Sequence, residues 1–145
     1  MEGFYFLDEC GIHGKIIVFK EFSDKIFVII FQIQLKVILL CFVVLQLCCN
    51  QLTGNIPAQI GSLKSLSVLT LQHNRLNGGI PDSLGNLGKL KRLDLSFNSL
   101  FGTIPESLAN NAELLFLDVQ NNTLSGIVPS GKSFCYPPYS FLSFV

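Results

Sequence analysis

From Phe42 onward the apolar positions return at a fixed step. Leu45 and Leu47 are followed by Leu69 and Leu71, then Leu93 and Leu95, then Leu117 and Val119, each pair 24 residues after the last. Asn50, Asn74, Asn98 and Asn122 keep the same step. So do Leu52, Leu76, Leu100 and Leu124, and Gly54, Gly78, Gly102 and Gly126, with an Ile-Pro or Val-Pro pair two residues beyond each glycine. A period of this length predicts a stacked solenoid in which each copy forms one coil.

Inside each copy the periodicity is two. In Ser67-Val68-Leu69-Thr70-Leu71-Gln72, Leu69 and Leu71 face inward while Val68, Thr70 and Gln72 face out, which predicts a short strand and, coil after coil, a parallel sheet. The chain must then turn while its amides and carbonyls are still buried, at about 1 to 3 kcal/mol for each group left unpaired. An inward asparagine, with two donors and an acceptor, satisfies them. The glycines suit a backbone at positive φ or one that closely approaches the next coil. The Ile/Val-Pro steps stay extended, after which Asp82-Ser83-Leu84 and Glu106-Ser107-Leu108 open short helical turns whose starts favour acidic side chains. Leu63, Leu66, Leu84, Leu87, Leu90 and Leu108 close the core from that side. No coil buries its apolar face alone, so stability comes from its neighbours.

The copies match the pattern L-x-x-L-x-L-x-x-N-x-L-x-G-x-I-P, with Phe42, Val119 and Val128 as apolar replacements. In this the chain resembles the plant-type leucine-rich repeat over residues 42 to 130. Blocks such as Leu93-Asp94-Leu95-Ser96-Phe97-Asn98 and Gly102-Thr103-Ile104-Pro105 resemble the outer domains of plant receptor-like kinases and receptor-like proteins. The resemblance implies an α/β repeat solenoid: a right-handed coil with a short parallel concave β-sheet and helical or 3-10 turns on the convex side. It also implies a non-catalytic recognition module in receptor-type signalling, a truncated ectodomain that binds a peptide or protein, with another leucine-rich repeat ectodomain among the candidate partners. Alternatives are an inert structural piece of a longer protein, or a secreted inhibitor of wall-degrading enzymes. No glycine-rich nucleotide loop or catalytic-loop aspartate motif is present, so kinase activity does not follow.

Charge narrows the partners. Ten basic and ten acidic residues cancel over the 145-residue chain, which leaves no electrostatic footprint for nucleic acid. Residues 1–41 depart from the family, whose members begin with a cleavable signal, a helical cap and a cysteine pair. From Ile26 to Cys49 the chain is almost wholly apolar. One reading is a membrane segment over residues 26–49, with Lys15, Lys20 and Lys25 on the cytoplasmic side and the repeats at the cell surface, outside. Lys36 near its middle opposes this. A second reading is an added strand over the alternating Phe31–Val37. A third is that the stretch is a gene-model artefact. Residues 131–145 lose the repeat pattern and form an uncapped tail. The five cysteines, Cys10, Cys41, Cys48, Cys49 and Cys135, match neither a cap pair nor a zinc site. No cofactor or metal is expected.

Function should sit on the outward strand positions. These are Val44, Gln46 and Cys48, then Val68, Thr70 and Gln72, then Arg92, Asp94 and Ser96, then Phe116, Asp118 and Gln120, with His73, Phe97 and Asn121 just beyond. The last three coils supply the candidate partner-binding set: Phe116 as apolar area, Arg92 and the aspartates for orientation, the amides and hydroxyls for hydrogen bonds. Four rungs about 4.8 Å apart offer only about 200 Å² of projected face. A standard interface buries about 800 Å² per partner, so the strip suits part of a peptide. Asn121-Asn122-Thr123 is an acceptor sequon for N-linked sugar if the repeats are secreted. With two histidines and no nucleophile motif, an enzyme is not expected. The ladder argument makes Asn98→Ala lower the thermal midpoint clearly in a circular-dichroism melt, whereas Arg92→Ala on the outer face should barely move it.

Overall fold

The computed structural model describes residues 15–18 and 42–126. The larger sheet is parallel, in the order β1 (Lys15–Val18), β2 (Phe42–Gln46), β4 (Val68–Thr70), β6 (Arg92–Asp94) and β8 (Phe116–Asp118). Val44, Val68, Arg92 and Phe116 are register partners, so the 24-residue period sets the alignment of neighbouring coils. Leu45, Leu69, Leu93 and Leu117 pair one step on and are buried.

A second parallel arrangement runs beside it, through β3 (Thr53–Asn55), β5 (Arg75–Gly78), β7 (Ser99–Gly102) and β9 (Thr123–Leu124). The residue pattern predicts one strand per coil and hides this second one, because these strands are two to four residues long and three of the four contain a repeat glycine. Here Gly54 pairs with Leu76, Gly78 with Leu100 and Gly102 with Leu124. That is a step of 22 residues, so the coils lean by two residues between the sheets. The glycines take φ of +78°, +78°, +82° and +87°, as expected for a position closed to most side chains.

On the far side, Pro57, Pro81 and Pro105 sit at φ of −67°, −66° and −60° and lead into 3-10 turns at Ala58–Ser62 and Asp82–Asn86 and into helix α1 at Glu106–Ala109. Asp82 and Glu106 lie in the first turns, as the charge argument requires. Leu63, Leu66, Leu84, Leu87, Leu90 and Leu108 are fully buried beneath these turns. At about 1.5 to 3 kcal/mol for each buried leucine, this column and the strand leucines supply most of the driving force.

The asparagines join the coils. Asn74 accepts the Leu52 N–H at 3.0 Å and donates to the Leu47 and Leu71 carbonyls, each at 2.9 Å. Asn98 accepts from Leu76 at 3.0 Å and donates to Leu71 at 3.0 Å and Leu95 at 3.1 Å. Asn122 repeats the set with Leu100, Leu95 and Val119. Each amide therefore ties its own turn to the preceding coil through one acceptor and one donor contact. Asn50 donates within its own turn, to the Leu47 and Cys48 carbonyls.

Of the three readings for the N-terminal stretch, the strand proposed at Phe31–Val37 and most of the apolar run lie outside the described residues. The strand that does join the sheet edge is Lys15–Val18, parallel to β2 and with a register irregularity after Lys15. No helix among the described residues is long and apolar enough to cross a membrane. The tail from residue 127 also lies outside them.

The serine column on the turn side offers a packing test. Ser83 and Ser107 donate their hydroxyls to the Ala58 and Asp82 carbonyls of the preceding coil, at 2.7 and 2.9 Å. A Cβ added at Gly85 would collide with Ser107, whereas one at Gly88 meets nothing within 4 Å. Gly85→Ala should cost about 1 to 3 kcal/mol. Gly88→Ala should leave the melting midpoint within a degree or two, and equal losses would refute this turn packing.

Candidate functional site

The outward positions of the larger sheet form columns, one residue from each coil. Val44, Val68, Arg92 and Phe116 make the first; Gln46, Thr70, Asp94 and Asp118 the second. Cys48, Gln72, Ser96 and Gln120 continue each strand by two residues and make the third. The structure thus brings all nine candidate partner-binding residues onto one face.

They are not uniformly wet. Thr70, Asp94 and Ser96 are only 5%, 6% and 4% exposed. Short side chains on rungs about 4.8 Å apart are screened when longer neighbours flank them. Asp94 is held from both sides along its own strand: Arg92 donates to Oδ2 at 3.3 Å, while the Ser96 hydroxyl and N–H reach Oδ1 at 2.8 and 3.3 Å. The Arg92 guanidinium carbon lies 3.9 Å from the centre of the Phe116 ring, a cation–π contact across coils. Asp118 accepts from the Gln120 backbone and side-chain amides at 3.0 and 3.3 Å. Among the described residues, Thr70 Oγ1 and Gln72 Oε1 are buried with no hydrogen-bond partner.

The sequence places His73, Phe97 and Asn121 just beyond the strand positions, but the backbone of this fourth column escapes a reading of the residues. Cys49, His73, Phe97 and Asn121, each just before a ladder asparagine, take φ of +60°, +55°, +54° and +51°. This region costs an L-residue about 1 to 2 kcal/mol, and asparagine tolerates it best. Only Asn121 hints at it, since no glycine marks the place. The conformation lets Cys49 N–H reach the Gln72 carbonyl at 3.0 Å, His73 that of Ser96 at 3.1 Å and Phe97 that of Gln120 at 2.9 Å, which prolongs the ladder around the corner. The His73 and Phe97 rings stack with centroids 4.3 Å apart and planes 14° from parallel.

Burial, and next the neighbouring Cys49 thiol, push the Cys48 pKa up, so Cys48 is a poor nucleophile near neutrality. No three His, Cys, Asp or Glu among the described residues are grouped to hold a metal ion. The face therefore offers hydrogen-bond acceptors at its centre, a cation–aromatic pair on one rim and an aromatic stack on the other.

Known proteins share these repeats. The leucine rich repeat family model matches residues 43–100. A chain of the BIR3–SERK2 complex from Arabidopsis thaliana is 40% identical over 62% of this chain and 48% of its own, with a TM-score of 0.58. A chain of the plant peptide hormone receptor RGFR1 in complex with RGF2 is 41% identical over 62% and 14%, at 0.61. A chain from the complex of the Arabidopsis receptor kinase HAESA with the peptide hormone IDA and the co-receptor SERK1 is 40% identical over 62% and 15%, at 0.60. The chain aligns with about half of the first and about a seventh of the other two. No curated protein sequence matches it.

The geometry revises one sequence expectation. Arg92 is not a bystander on a solvated face, because it covers Phe116 and pairs with the buried Asp94. Arg92→Ala should lower stability by about 1 kcal/mol in chemical denaturation, and Lys91→Ala, on an exposed neighbour, by less than about 0.5 kcal/mol. No difference between the two would show that the pair carries no stability.

Proposed function

Given that its coils are plant-type leucine-rich repeats of the kind that builds receptor ectodomains, we propose that this chain is a non-catalytic recognition module whose larger sheet binds an extended peptide or a segment of a protein. The binding set is Val68, Thr70, Gln72, Arg92, Asp94, Ser96, Phe116, Asp118 and Gln120. The observation that carries the reading is the state of the central polar atoms. Thr70 Oγ1 and Gln72 Oε1 are buried without partners beside a fully engaged Asp94. Orphaned polar atoms of this kind cost about 1 to 3 kcal/mol each, so both side chains gain by turning outward to meet the polar groups of a peptide laid along the strip.

Arg92 and Phe116 hold each other in place before any ligand arrives, which reduces the ordering cost of binding. Asp118 offers a half-buried carboxylate to a donor or cation of the ligand. The small area of the strip favours a few residues of extended chain over a folded partner. Proteins similar to this chain include a receptor in complex with the peptide RGF2 and one in complex with the peptide hormone IDA, which supports the same class of partner. We place the repeats at the outer cell surface or in the secreted fraction, in receptor-type signalling, on that likeness.

A phage-displayed library of random twelve-residue peptides, panned on the purified full chain, tests this. Enriched peptides should lose at least tenfold in affinity on Phe116→Ala or Asp118→Lys, and little on Glu113→Gln away from the strip. No enrichment over an unrelated repeat protein, or binding indifferent to both strip substitutions, contradicts it.

A further inference from the structure

We propose that Asn121 carries an N-linked glycan and that its first N-acetylglucosamine rests on the exposed ring of Phe97. This rests on the reading that the repeats enter the secretory pathway, and is independent of the peptide-binding face. Asn121-Asn122-Thr123 is the chain's acceptor triplet, and Asn121 is exposed. Its φ of +51° matches that of Phe97 at +54° and His73 at +55° in the coils before it. Because the three share one backbone conformation, their side chains leave the solenoid in the same direction, one coil apart. The His73–Phe97 stack, at 4.3 Å and 14°, shows what that geometry does to successive members of the column. One face of the Phe97 ring is against His73, and the coil that bears Asn121 stacks on the opposite side of the Phe97 coil. Phe97 stays 47% exposed, a large aromatic left uncovered by protein. The C–H face of a pyranose covers an aromatic ring well, and a sugar attached one coil further on is within reach of that open face.

The chemistry is a group transfer. The Asn121 side-chain nitrogen attacks the anomeric carbon of a polyprenyl-diphosphate-linked oligosaccharide, the C–O bond to diphosphate breaks, and the nitrogen loses one proton as the N–C bond forms. It must precede closure of the fourth coil. In the folded chain Asn122 is committed to Leu100, Leu95 and Val119, and the Thr123 hydroxyl donates to the Leu100 carbonyl at 2.9 Å. The finished glycan would stand on the rim marked by His73 and Phe97, leaving the Arg92–Phe116 rim open.

The test uses the full chain made two ways: secreted from yeast behind a cleavable leader and trimmed enzymatically to one sugar, or made unmodified in bacteria. Peptide mass spectrometry should find the sugar on Asn121. The single sugar should raise the melting midpoint by about 3 °C in the wild-type chain. It should do so by less than about 1 °C in Phe97→Ala and Phe97→Leu. Ring-current shifts of the sugar protons, present with Phe97 and lost with Leu, give a readout that does not depend on stability. An unmodified Asn121 in the secreted chain, or equal midpoint shifts with and without the ring and no ring-current effect, overturns the proposal.

Discussion

Everything in this solenoid depends on how the backbone is satisfied where each coil turns out of its strand. Three consecutive asparagines, Asn74, Asn98 and Asn122, each accept an amide hydrogen and donate to a carbonyl of the coil before. The leucine columns supply the energy of burial, but burial is nondirectional and would tolerate a coil sliding on its neighbour. The amide contacts do not. They are made at 2.9 to 3.0 Å to particular backbone atoms, and they connect a sheet stepping by 24 residues to one stepping by 22. Register on the outer face, and so the columns that define the candidate site, follows from that lock.

The outer face shows how a repeat diversifies without losing its frame. Leu93 and Leu95 repeat Leu69 and Leu71, while the residues between them change from Val68, Thr70 and Gln72 to Arg92, Asp94 and Ser96. Backbone pairing is indifferent to that exchange. The neighbours are not: Asp94 is held by Arg92 and Ser96, whereas Thr70 and Gln72 keep buried atoms without partners. Neighbouring rungs on one face therefore differ in how far the fold itself satisfies their polar groups.

The architecture was largely legible in the residues, since a period that repeats leucine, asparagine, glycine and proline together admits few alternatives. Leu69 and Leu71 inward, glycine at positive φ and acidic residues opening the turns all hold in the structure. Three features were not legible. The second sheet hides in three-residue strands such as Thr53–Asn55. The left-handed column at Cys49, His73, Phe97 and Asn121 carries no common residue type, because the backbone there is imposed by hydrogen bonds between coils and not by side-chain preference. Burial of Thr70, Asp94 and Ser96 depends on the length of neighbouring side chains a coil away, which alternation within one strand cannot report.

Amide hydrogen exchange tests the central claim most directly. Leu52, Leu76 and Leu100 donate their backbone N–H groups to the side chains of Asn74, Asn98 and Asn122. If those contacts lock the coils together, the three amides open only with the stack as a whole and rank among the slowest to exchange, alongside the strand amides of Leu71 and Leu95. Exchange of Leu52, Leu76 and Leu100 as fast as that of exposed turn residues such as Lys89 would contradict it.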